Sequence, residues 1–428
     1  NPVLSYVGND VLLSVDPGLL SPILPANAGI NHRSVAGAID NGLLGGANLS
    51  NAFSAIFNLS GDNLLNGLTQ LSGESAAGSQ QTTFNAMNQF MGTMLDPFID
   101  GRGATAMPAG ATPYADDNSL AYAAKHPTSD AAAAIYHKAP IAQGYDPRWS
   151  MWAAAYGGSQ STDGNTALGS NNTTSQVFGT AIGADYRFSP NTIAGFALAG
   201  GGTNFSVANS GGGRSDLFQA GAFIRHNVGA AYLAGALAYG WQDVTTDRTV
   251  TVGSIDRLRA EFKANAWSGR AEGGYRFVAP WIGGIGLTPY AAGQFTTFQL
   301  PSYAEQAIVG ANTFALATNA KSVTASRSEL GLRADESFAL SDSVLTLRGR
   351  AAWAHDFNPD RAVGAVFQTL PGSAIVVNGA ALSRDAALTT ASVQMNWMNG
   401  WSASATFEGE FSNVTRSYAG KGLVRYTW

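Results

Sequence analysis

The chain has no cysteine among its 428 residues. Disulfides, thiol nucleophiles and Cys-ligated metals are thereby excluded, and a thiol-free chain can cross an oxidising compartment unfolded without being caught in crosslinks. Charge is sparse too. Asp, Glu, Lys and Arg make up 12% of residues, against about 25% in an ordinary soluble domain. With 24 Lys+Arg, a net charge of −5 and no basic cluster, the electrostatic footprint of a nucleic-acid binder is missing. No apolar run approaches the roughly 20 residues that a membrane-spanning helix needs. A membrane-spanning barrel stays open, because its signal is spread over many short alternating segments. The opening stretch NPVLSYVGNDVLLSV lacks the basic start and apolar core of a signal peptide, so the sequence reads as a fragment whose export signal is absent or lay upstream.

What is present is glycine and alternation. Glycine accounts for 51 residues, well above the usual ~7%. Residues 1–20 read as short strands that end at Asp16, Pro17 and Gly18. Residues 21–98 switch to helical spacing in HRSVAGAIDNGLL, LSNAFSAIFNL and DNLLNGLTQL, with Ser50 and Asp62 as candidate N-caps. A longer segment then carries Phe84, Met87, Met91, Met94, Leu95 and Phe98 on one face. A small helical cluster is expected there. Residues 99–148 have the composition of a linker, with room for short helices between Asp116 and Lys138.

From Trp149 to Trp428 the pattern is that of strands. Twelve are predicted, near 149–158, 175–189, 191–206, 215–228, 230–246, 259–278, 285–300, 322–340, 343–357, 386–398, 401–413 and 417–428. Through the first ten, long connections such as SQSTDGNTALGSNNTT, ANSGGGR and DVTTDRTVTVGSIDRL alternate with short ones such as Ser189-Pro190-Asn191 and Asn399-Gly400. Short turns at one end and long loops at the other describe an up-and-down outer-membrane barrel, and the even strand count fits one.

Successive side chains on a strand point to opposite faces. The polar parity collects Asp185 and Arg187 on the second strand, Arg270 and Glu272 on the sixth, and Arg327, Glu329, Arg333 and Asp335 on the eighth. Arg348 and Arg350 on the ninth strand and Glu408 and Glu410 on the eleventh join them. These twelve are the expected lumen network, in which opposite charges neutralise one another and water solvates the rest. Alternation alone would also suit a soluble sandwich. Long strands, alternating loop lengths and aromatics at strand ends favour the membrane barrel. Tyr186, Phe188, Tyr275, Phe277, Trp397 and Trp401 fall beside short turns, as an interfacial girdle requires. The expected fold is therefore all-β: a 12-stranded antiparallel transmembrane barrel over 149–428, preceded by a small helical and linker region.

The order and spacing of LSGE (71–74), FMGTMLDPF, RWSMWAAAYGG, LRGRAAWAHDF (347–357), GWSASATFEGEF (400–411) and the aromatic terminus resemble the translocator end of a bacterial autotransporter, a type V secretion protein. The resemblance implies an outer-membrane protein that exports and anchors a passenger in cis at the cell surface. It implies that residues 1–20 are the tail of a β-rich passenger and 21–98 a junction or folding-assist region. It further implies that Val424, Tyr426 and Trp428, alternating back from the final aromatic, are read by the barrel-assembly machinery, with periplasmic chaperones as further partners. Gly422 sits two before Val424 on the same face, out of the register usual in the family. A monomer in the lipid bilayer is expected.

A 12-stranded lumen admits an extended chain or one helix. Of the two candidates for that place, Thr82–Phe98 carries a Phe and Met stripe that a polar lumen would not reward and is expected to stay in the helical cluster. Asp116–Lys138 is slimmer and is the favoured plug. A passive porin and a surface adhesin are the alternatives.

No catalytic constellation is found. His32, His126, His137, His226 and His355 are scattered without metal-ligand spacing. In SGDNLL, Asn63 stands where a nucleophilic serine would be needed. The Gly-rich GGGTNF and NSGGGR flank a strand-to-strand loop, not the strand-to-helix turn of a phosphate site. Neither enzymatic activity nor a cofactor is expected.

Overall fold

The computed structural model describes residues 2–7, 10–15, 18–47, 49–96, 148–279 and 285–428. A hairpin pairs β1 (Pro2–Val7) with β2 (Asp10–Val15). Helices α1 (Ile30–Leu44), α2 (Asn51–Ile56), α3 (Gly61–Leu71) and α4 (Ser75–Met94) follow. Ser50 caps α2, accepting the Phe53 amide at 3.4 Å. The cap position of α3 is Ser60, and Asp62 lies in its first turn, where a carboxylate still complements the helix dipole. The favoured plug, Asp116–Lys138, falls outside the described residues.

The twelve barrel strands are β3 (Trp149–Thr162), β4 (Thr173–Ser189), β5 (Thr192–Val207), β6 (Gly211–Val228), β7 (Ala231–Val250), β8 (Asp256–Tyr275), β10 (Ile285–Leu300), β14 (Lys321–Ala339), β15 (Ser343–Asp356), β18 (Asp385–Trp397), β19 (Trp401–Phe411) and β20 (Thr415–Thr427). Each pairs antiparallel with the next, the short strands β9 (Phe277–Ala279) and β12 (Gln306–Val309) add to β10 and β8, and β20 closes on β3 from Thr415↔Thr162 to Thr427↔Ser150. The seam is complete to the last residue, since Trp149 and Trp428 exchange backbone bonds of 3.2 and 3.1 Å. Closure leaves no unpaired edge inside the wall, the condition a sheet must meet in lipid.

Period-two alternation sets the faces. Along β4, Phe178, Ile182 and Phe188 are exposed while Val177, Ala181 and Asp185 are buried. In the last strand Val424, Tyr426 and Trp428 face out, and Leu423 and Arg425 face in. The short connections lie at the end that holds Trp149 and Trp428. There Gly229 and Gly400 adopt φ of 60° and 87°, a region open to glycine at little steric cost.

Two connections expected as long loops are largely paired strand. β5 and β6 remain zipped to Val207↔Gly211, so ANSGGGR contributes a tight turn with Asn209 at φ 59°. β7 and β8 remain zipped to Val250↔Asp256. The β-branched residues of DVTTDRTV favour a pleated strand over a loop. At 20 residues each, these two strands exceed the ~9–11 needed to cross lipid, and the surplus projects at the long-loop end.

That surplus supports a cap. Short strands β11 (Tyr303–Ala304), β13 (Leu316–Thr318), β16 (Ala362–Phe367) and β17 (Ala374–Asn378) form a four-stranded sheet from two of the long loops. Helices α1, α2 and α3 pack onto it and onto the tops of β7 and β8 around one apolar core. Phe53 meets Phe314 and Phe367 edge-on at centroid distances of 4.8 and 5.3 Å. Asp40 accepts the Leu20 and Ser21 amides at 2.7 and 2.9 Å. The buried Arg248 pairs with both oxygens of Glu305 at 2.7 Å and donates to the Gln70 and Phe314 carbonyls. A buried ion pair is costly unless its remaining donors are bonded, and the two carbonyls supply that compensation.

The fourth helix departs from expectation. It does not join the helical cluster but lies inside the barrel, packed against β4–β8 and β10.

Candidate functional site: a helix in the barrel lumen

Helix α4 starts at the long-loop end and descends. At ~1.5 Å per residue, its 20 residues span about 30 Å. Its upper end is fixed by Glu74, whose carboxylate accepts the Asn171 amide and side-chain N–H at 2.7 and 2.6 Å. Burial pushes the Glu74 carboxyl up to about 7 against these two bonds, which act to lower it. Its lower end is gripped by Lys421, which reaches Asp96 at 3.2 Å, Glu408 at 3.1 Å and the Gly92 carbonyl at 3.4 Å. A cation at the last turn also complements the helix dipole.

One side of α4 is dry. Phe84, Met87, Phe90, Met91 and Met94 are buried among Ala181, Ala197, Ala199, Ala236, Ala238, Ala264 and Ala266. The fit depends on small residues. A Cβ at Gly221 would meet the Met94 sulfur at 2.6 Å, and one at Gly240 the Met87 sulfur at 2.8 Å. A bed of Ala and Gly lets a helix approach the wall closely, which is why a Met and Phe stripe is accommodated in a lumen expected to be polar.

The other side is wet. Gln81 and Asn85 bond Gln160, Asn85 donates to Ser175 at 2.9 Å, and Gln294 donates to Asn88 at 2.6 Å. Two cavities of about 80 and 120 Å³ run between this face and the charged wall, lined among others by Arg327, Arg350, Glu410, Asn88 and Asp96. Both exceed the roughly 10–15 Å³ that one water requires, so each has room for water.

The charged residues expected in the lumen fall into several groups. Arg270 holds Glu329 through two 2.8 Å bonds and Glu272 at 2.9 Å, and Arg333 pairs with Glu272 at 2.7 Å. Arg333 also lies 3.8 Å over the Tyr290 ring. Arg327 bridges Asp356 and Glu410 with a closest contact of 2.7 Å to each. Glu408 meets Lys421, and Asp335 meets Arg276 at 2.6 Å. Arg348 and Arg350 bond neutral groups, Gln394 and Thr390. Asp185 lies apart at the seam, 3.5 Å from Arg425 and 3.1 Å from the Trp152 indole nitrogen. Arg187 sits at the short-turn rim, donating to the Pro190 carbonyl at 3.4 Å.

Sequence reasoning missed Lys421, Arg276 and Asp96 as partners, whereas Asp356 shares the polar parity of its strand with Arg348 and Arg350. Lys421 shares the inward parity of its strand, a signal that was available. Asp96 could not be found without knowing where α4 lies. Among the described residues no cluster suits a metal ion, and no helix is long and apolar enough to cross a membrane.

On the outer face, Phe188, Tyr275, Phe277, Trp397 and Trp401 are exposed at the short-turn end. Trp149 packs on Tyr186 at 4.8 Å, Tyr186 on Phe188 at 4.9 Å and Trp401 on Tyr426 at 5.0 Å. These rings line both sides of the β20–β3 seam.

Against known proteins, the barrel is similar to the translocator domain of the autotransporter NalP from Neisseria meningitidis. The TM-score is 0.53 at 17% identity, over 74% of this chain and 99% of that one. The beta domain of the Bordetella autotransporter BrkA superposes with a TM-score of 0.50 at 20% identity, over 66% of this chain and all of that one (100%). By sequence, an extracellular serine protease of Serratia marcescens is 27% identical over 201 residues, covering 46% of this chain and 18% of that protein. The chain thus spans under a fifth of the length of that relative. The family model of the autotransporter beta-domain matches residues 151–408. On that match and this closed twelve-stranded wall, the chain belongs to the autotransporter beta-domain family and is an outer-membrane barrel.

Proposed function

We propose that this chain exports and anchors a passenger that precedes the barrel in the same polypeptide, and that α4 stays behind as the stopper of the pore. One observation carries the reading. Residues 18–74 sit at the long-loop end, α4 threads the lumen downward, and β3 begins at the short-turn end, so the polypeptide passes through its own barrel. In the outer membrane this places the N-terminal side at the cell surface. The barrel acts as a transport unit and not as an enzyme, and it works as a monomer without a cofactor. The alternating outward residues Val424, Tyr426 and Trp428 serve as the mark by which the barrel-assembly machinery recognises the closing strand, after periplasmic chaperones have delivered the unfolded chain.

The test pairs two assays. Surface exposure of a reporter fused before residue 1 is expected in cells that carry the barrel and is expected to disappear when β20 is deleted. In planar bilayers the full chain is expected to conduct weakly, and a chain lacking residues 75–96 strongly. Equal conductance of the two would remove the stopper, and a reporter left inside the cell would remove the export reading.

A further inference from the structure

We infer that the loop end of the barrel is a receptor for the chain's own residues 18–74, and that this clasp holds α4 in the lumen from the outer side. The inference deepens the export reading and rests on it for the direction in which the chain passes.

The core of the cap is shared evenly. Of its 20 buried apolar residues, ten come from residues 20–71 and ten from the tops of β7 and β8 and the long loops. Neither half hides its apolar surface alone. Without the helices, Phe314, Phe367 and Leu370 lose their cover, and without the loops, Ile39, Phe53 and Leu68 lose theirs. Burial of apolar area drives association, so the two halves are each other's partner.

Four separate connections take part. The Ile30 and Asn31 amides donate to Ala167 and Leu168 of the β3–β4 loop at 3.1 and 2.8 Å. Thr251 of the β7–β8 turn donates its amide to Gln70 at 2.8 Å. Phe314 of the β10–β14 loop meets Phe53 edge-on. In the β15–β18 loop, Asn378 exchanges bonds of 2.9 and 2.7 Å with Asn31, and Val376 donates to Ser34 at 3.1 Å.

The clasp is coupled to the helix below it with almost no slack. Only residues 72–74 separate α3 from α4, and Glu74 among them is tied to Asn171. Drawing α4 toward the short-turn end would require the cap to come apart first, because a lumen that seats one helix cannot admit three more that remain packed together. Docking of residues 18–74 on the loops therefore makes passage one-way. It can begin only when those residues have emerged on the loop side.

The experiment uses the full chain refolded in liposomes, with Phe53→Asp and, separately, Phe367→Asp to place a charge in the shared core. Gel mobility before and after heating reports whether the barrel is folded. External protease is expected to cut within residues 18–71 at least tenfold faster than in the parent, with a rise in ion conductance as α4 loosens. Because the chain has no cysteine, the close approach of Gly42 to Leu370 allows a clean crosslink. Gly42→Cys/Leu370→Cys in the Phe53→Asp background should restore low conductance when oxidised and lose it on reduction. If the Asp variants do not refold, Asn31→Ala removes the bonds to Asn378 and Gly169 without burying a charge and should give the same changes at smaller amplitude. A cap that opens to protease while conductance stays at the parental level would overturn the clasp. Failure of the reporter to reach the surface in the parent chain would instead strike the export reading, since the liposome measurements do not depend on it.

Discussion

The two walls of the lumen handle the same helix in opposite ways. Strands β4–β8 turn Ala and Gly inward at the height of α4 and receive its Phe and Met side chains in a dry contact. Strands β14, β15, β19 and β20 turn Arg, Lys and Glu inward at the same height and leave room for water beside Asn88, Gln89 and Asp96. The inward parity of a barrel strand therefore does not mean polar. It means lumen-facing, and the occupant decides the chemistry. An amphipathic helix with a Met and Phe stripe on one side and Asn and Gln on the other matches a lumen with two faces.

The sharpest way to break this comparison is on the wet wall. Arg327→Met leaves Asp356 and Glu410 without their shared cation, and removing one partner of a buried pair costs about 3–5 kcal/mol. Denaturant unfolding of the detergent-solubilised barrel is expected to report that loss, with only partial recovery in Arg327→Lys, since an ammonium cannot form the same forked contacts. On the dry wall, Met87→Ala empties a fully buried site over Gly240, for which about 2–3 kcal/mol is expected. Hydrogen exchange of α4 should rise in this variant while the barrel strands keep their protection. Raising salt should leave this loss unchanged and lessen the one at Arg327 only slightly, because a buried charge pair is screened far less than an exposed one.

The smallest effect is expected where the walls give way to the loops, at Glu74. Its carboxyl is raised from 4.5 to about 7 by burial. The folded form then keeps a proton that the unfolded chain has already released, so its contribution is complete below about 4.5 and declines as pH rises through about 7. Stability of the folded chain to denaturant is expected to fall over that interval. Glu74→Gln should flatten the dependence, and a pH profile identical in the parent and Glu74→Gln chains would assign it to another group.

The barrel was readable because period-two alternation is local: Arg327, Glu329 and Arg333 opposite Leu330 and Leu332 declare a two-faced strand without reference to any neighbour. The twelve strands and the outward placement of Tyr426 and Trp428 follow from that rule. The seat of α4 was not readable in the same way. Its stripe of Phe84, Met87, Met91 and Met94 looked unsuited to a lumen judged from Arg and Glu positions alone, although Ala197, Ala199, Ala236, Ala238, Ala264 and Ala266 occupied the same inward parity. The extended ends of β7 and β8 were hidden for a related reason. Gly and Asp near a turn signal a loop, and only pairing with the opposite strand shows otherwise.

By itself, the order of residues determined a closed, lipid-facing sheet, because each side chain's face depends only on its place in an alternating strand and on the cost of unpaired backbone in a bilayer. Which helix occupies the lumen, which carboxylates Arg327 and Lys421 hold, and the half-and-half core of the cap were decided only in three dimensions. Those contacts join residues up to about 350 positions apart, and whether they form depends on the shape of the space between walls, a property that no single segment carries.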